Sequence, residues 1–148
     1  MMNLVKNSSF YVITSYAICY GAYYVNSNSL FIYLNNNIVG LLLTLLAINT
    51  ATSGLIASKM QDLVSNFPAF NFQETVKQMK VSLLEQIVLI TGSVVILIIQ
   101  GSKIIKFPHK DFTLDVLLVT IMIYSIAILW DTGKAVFVVI DEIQKMKK

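Results

Sequence analysis

Between Lys6 and Lys59 the sequence carries no charged side chain. A bilayer core about 30 Å thick takes about 20 predominantly apolar residues per helical crossing. The interval therefore holds two crossings if a turn divides it. Turn formers cluster at its middle, where Asn26, Asn28, Asn35, Asn36 and Asn37 occur in "VNSNS" and "LNNNI". The rest of the chain agrees with a membrane reading. Only 13% of its 148 residues are charged and 56% are hydrophobic, with mean hydropathy +0.72, whereas soluble domains carry about 25% charged residues. Three or four spans fill this length and leave little for a separate soluble domain.

The expected fold class is all-α: a polytopic membrane protein of three to four long transmembrane helices with a cytoplasmic helical extension, assembled as a symmetric homo-oligomer. Residues 1–37 form an N-terminal apolar and aromatic segment, and residues 38–148 a three-helix membrane core. The first segment, about 9–25, contains Thr14, Ser15 and the tyrosines 11, 16, 20, 23 and 24. It either spans, lies at the interface or plugs a lumen. It lacks a small-residue cleavage site and reads as an uncleaved segment.

Segment two runs from Ile38 to Asn66, its membrane part ending near Lys59, and Pro68 breaks it. Segment three opens at Asn71, an N-cap with Glu74 three residues on. It turns apolar at Ile87 and ends near "QGSK". Segment four begins at Asp111 and runs through Trp130 to the terminal "KMKK". The last two segments would each reach about 50 Å, longer than the hydrocarbon core, and their surplus forms a stalk from about 59–85 and 131–148. With four spans, Lys6, Lys59, Lys77, Lys80, Lys134, Lys145, Lys147 and Lys148 share one side, opposite Lys103, Lys106 and Lys110. The positive-inside rule then puts both termini in the cytoplasm, whereas with three spans the C-terminus stays inside and Lys6 moves across.

Two faces of segment two stand out. Gly40, Thr44, Ala47, Ala51, Gly54 and Ser58 recur at alternating spacings of four and three, a small-residue seam for close helix contact in lipid. The partner is another segment of the same chain or a neighbouring copy. Asn49 lies opposite, with Ser53 one turn along. An amide in lipid is costly, so that face also meets protein or water. It makes an interhelical hydrogen bond, or it faces a pore or another subunit. A helix enclosed on both flanks implies several copies around an axis.

Three acids flank the apolar runs. Glu85 closes the polar part of segment three just before its apolar run, Asp131 follows the apolar run of segment four, and Asp115 sits one turn into that segment at its other end. Glu85 and Asp131 either pair with Lys80 and Lys134 along the helix surface, or are copied by symmetry into carboxylate rings that concentrate cations. Asp115 either favours the helix N-terminal dipole or forms a ring of its own. Trp130 with Tyr124, and Tyr11 with Tyr24, read as interface-belt aromatics.

Enzyme chemistry is not expected. His109 and Cys19 are the only residues of their types, too few for the usual metal sites. No cofactor, metal or direct nucleic-acid site is expected, and the chain has no arginine to grip phosphate.

In layout, the stretch "GLLLTLLAINTATSGLIASKMQDL" followed by the polar-then-apolar "ETVKQMKVSLLEQIVLITGSVVILII" resembles the small transmembrane ion-channel effectors of bacterial anti-phage defence, the Hailong HalA-like subunits. The resemblance implies a homo-oligomer (a tetramer is one such assembly) in the bacterial inner membrane. It further implies a pore kept closed until a nucleotide-type signal arrives, and a cytosolic nucleotidyltransferase or other regulatory partner. The first segment would then occlude the lumen, with Asn49 and Ser53 lining or gating it. The rival expectations are a non-conducting membrane anchor for a soluble partner and a holin-like toxin.

Overall fold

The computed structural model describes the backbone of residues 2–66 and 72–146, and the side chains of 9–62, 64, 72–137 and 140. It contains four α-helices: α1 Met2–Tyr24, α2 Ser29–Asn66, α3 Gln73–Gly101 and α4 Lys110–Met146. Successive helices run antiparallel. Tyr11 and Tyr16 of α1 meet Tyr124 and Phe112 of α4, while Ser82 and Gln100 of α3 bond Thr132 and Asp115 of α4.

Three helices among the described residues are long and apolar enough to cross a membrane: Ser29–Asp62, Gln73–Gly101 and Lys110–Phe137. At ~1.5 Å per residue α2 and α4 reach about 56 Å and α3 about 44 Å, so all three exceed the hydrocarbon thickness. Helix α4 is the hub and touches the other three. The apolar core joins Cys19 of α1, Leu34, Ile38 and Leu42 of α2, and Leu118 and Val119 of α4.

The expected break at Asn35, Asn36 and Asn37 lies inside α2, so a division between 37 and 38 cuts a continuous helix. Two features override the turn-forming tendency of these asparagines. Leu34 and Ile38, one turn apart, are both buried, and the Asn37 amide donates to the Tyr33 carbonyl at 2.9 Å. The other half of the expected break holds: the turn is made by residues 25–28 of "VNSNS", where Asn26 takes a positive φ of 52°, a conformation asparagine tolerates better than most residues.

The helix of segment three is entered through Phe72, which makes no side-chain cap hydrogen bond. The expected N-cap Asn71 and the break at Pro68 lie outside the described residues. Helix α4 starts one residue before Asp111, after His109 at φ 56°. The α3–α4 corner is tied by Lys110, whose Nζ donates to the carbonyls of Ser102 at 2.6 Å and Gln100 at 3.2 Å. A cation there suits the negative end of α3.

Candidate functional site

Helix α2 presents a single inward stripe. Among its described residues Leu34, Ile38, Leu42, Asn49, Ser53, Ile56 and Met60 are buried, at spacings that keep one helical face. Every residue of the small seam, Gly40, Thr44, Ala47, Ala51, Gly54 and Ser58, is exposed on the opposite side. A Cβ added at Gly40 or Gly54 meets nothing within 4 Å. Among the described residues, therefore, no other helix of the chain closes on the seam at its two glycines. Thr44 is tolerable on such a face because its hydroxyl donates to the Gly40 carbonyl at 2.9 Å.

Asn49 is fully enclosed and binds α3. Its Nδ2 donates to Ser82 Oγ and to Gln86 Oε1, each at 2.9 Å. Ser82 shares a 3.1 Å hydrogen bond with Thr132 of α4, whose hydroxyl also donates to the Ile128 carbonyl. A polar thread thus joins three helices across an apolar bundle. It is incompletely paired: Asn49 Oδ1, Gln86 Nε2 and Ser53 Oγ have no partner among the described protein atoms. Exchanging oxygen and nitrogen on both amides keeps the amide–amide bond but strands Asn49 Nδ2 and Gln86 Oε1 instead, and it draws the single Ser82 proton away from Thr132. The amide pair always leaves one donor and one acceptor over.

The thread backs onto a cavity of about 380 Å³ between α1, α3 and α4, with Ser82 and Thr132 in its wall. Tyr11 and Tyr124 also line it, their ring centroids 5.5 Å apart at 39°. The Tyr124 hydroxyl donates to Glu85 Oε2 at 3.1 Å. Trp130 is exposed beneath Lys134, whose Nζ is 5.5 Å from the ring centroid. Glu85 does not pair with Lys80, because five residues along a helix turn the two side chains to different faces. No described cation forms an ion pair with Glu85. Asp131 does pair with Lys134, at 3.0 Å on the exposed surface.

The other candidates lie elsewhere. Asp115 is half-buried at the opposite end of the bundle, where it accepts from Gln100 Nε2 at 3.2 Å. Cys19 is a buried free thiol in the apolar core. His109 is exposed in the α3–α4 turn. No group of three or more potential metal ligands occurs among the described residues.

Gln86, Ser82 and Thr132 were not singled out by sequence reasoning, and Tyr124 was read only as a belt aromatic. Their signal was present as spacing: Ser82, Gln86 and Ser93 share one face of α3, and Ser125 and Thr132 lie seven apart on α4. Polar residues in such a stripe of an apolar helix face protein.

No family model matches the chain, and no curated protein or solved structure matches it.

Proposed function

We propose that the chain is the subunit of a homo-oligomeric membrane channel whose copies meet along the α2 seam. The observation that carries this reading is the seam itself. Six small residues lie on one exposed face while the buried stripe of the same helix is occupied by α3 and α4. Association in lipid depends on close backbone approach, and this face permits it. Conduction is supported by Glu85, Asp131 and Asp115, which bracket the apolar belts of α3 and α4 and would become acidic rings under symmetry. On the same reading both termini are cytoplasmic, the helical ends beyond the membrane form a stalk, and a cytosolic nucleotide-signalling partner gates an anti-phage pore.

A second reading, a non-conducting anchor, is favoured by one observation: Asn49 and Ser53 are spent inside the subunit's own helix packing. Cross-linking in liposomes followed by planar-bilayer recording separates the two. A channel gives a closed oligomeric ladder and discrete ion-sized conductance on activation. An anchor stays silent at every protein concentration, and a holin-like toxin passes large dyes with no trigger.

A further inference from the structure

We propose that the cavity between α1, α3 and α4 binds a small organic ammonium ion with an aromatic or aliphatic body, its charged head held at Glu85. The inference does not depend on whether the protein conducts ions.

Three observations carry it. The first is the shape and chemistry of the cavity. At about 380 Å³ it falls within the size range of small-molecule sites, which are mostly apolar with a few placed polar groups. Met79 and Ile128 supply apolar wall, and Tyr11 and Tyr124 form an aromatic one. Ring faces attract ammonium groups within about 6 Å.

The second is the charge. Glu85 is the last charged residue of α3 before the uncharged run 86–101. It is half-buried and its described partner is the Tyr124 phenol, a neutral donor. A carboxylate at such a boundary, with no described cation paired to it, leaves negative potential in the cavity. Asp131, also in the lining, is offset by Lys134. Lys77 lines the cavity too, but it is exposed and sits eight residues from Glu85, about 12 Å along the helix.

The third is the wall behind. Ser82 connects the cavity to Asn49 and Gln86, which are almost completely buried and keep an unpaired acceptor and donor. Polar capacity therefore continues beyond the carboxylate, as a site that also admits water requires.

The test uses the full chain in lipid nanodiscs and isothermal titration calorimetry with benzyltrimethylammonium chloride. Saturable binding of one cation per chain is expected, with benzyl alcohol and benzenesulfonate at least about tenfold weaker. Glu85→Gln should weaken the cation at least about tenfold, and the exposed Asp111→Asn should leave it unchanged. Because Glu85→Gln can fail to fold, the wild-type protein supplies a second readout. Dicyclohexylcarbodiimide should modify Glu85, and benzyltrimethylammonium should protect it. Equal affinity for benzyl alcohol, no binding at millimolar cation, or labelling of Glu85 that the cation does not slow would each overturn the proposal.

Discussion

Asn49 and Gln86 set the residue-scale physics. Their mutual hydrogen bond stands between two helices in an apolar bundle, where such bonds average only about 0.6 kcal/mol and reach about 1.7 kcal/mol. Removing one partner costs more than the bond, because the other is left buried and unpaired. Asn49→Leu alone and Gln86→Leu alone should each lower stability by about 1–2 kcal/mol in mixed-micelle unfolding. The double variant should lose clearly less than the sum. Strict additivity would mean that the two amides do not interact. Asn49 was legible from sequence because it is the one amide in the uncharged stretch 38–58. Gln86 was not, since it directly follows Glu85 and reads as the end of the polar part of α3. Only its place on one face of α3 with Ser82 and Ser93 marks it as inward.

Among elements, α2 carries most of the organisation. Its two faces differ in kind: large residues and two polar ones inward, small residues outward. Gly54→Leu or Ala51→Leu should therefore leave the helical bundle intact, since neither residue is buried and Gly54 has open space at its Cβ. Each should reduce self-association at least about tenfold if the seam is the subunit contact, measured by energy transfer between labelled copies in liposomes. Unchanged association would move the contact to another face. The extents of α3 and α4 followed from hydropathy and from Asp111 and Pro108, to within a residue or two. The start of α2 did not. Asn35, Asn36 and Asn37 look like a turn locally, but a weak propensity cannot compete with burial of Leu34 and Ile38 on either side. The seam was legible as a pattern, but its exposure was not, because spacing alone never says which face the rest of the chain occupies.

For the whole molecule the decisive quantity is the charge left at each end of the apolar belt. In α3 and α4 that belt is the uncharged stretches 86–101 and 116–130, bounded by Glu85 and Asp131 at one end and Asp115 at the other. A carboxylate ring raises conductance by concentrating cations at a pore mouth, and salt screens that effect: the Debye length is about 30 Å at 0.01 M and about 3 Å at 1 M. If Asp131 forms such a ring, Asp131→Asn should lower cation conductance about two- to threefold at low salt and leave it nearly unchanged at 1 M. Lys134 complicates this in a useful way. Its ammonium lies 3.0 Å from Asp131 on the same helix, so each subunit presents a nearly cancelled pair. Lys134→Met should then unmask the carboxylate and raise low-salt conductance by a similar factor, the opposite sign to Asp131→Asn. Glu85→Gln should move conductance less than Lys134→Met, because the Glu85 carboxylate is half-buried beneath the Tyr124 hydroxyl rather than free at a mouth. Single-channel currents at 0.05 M and 1 M salt give all three answers. Equal ratios at both concentrations, or a fall in conductance for Lys134→Met, would remove Asp131 from any ring and leave Glu85 and Asp115 as the only acids still bracketing a conduction path.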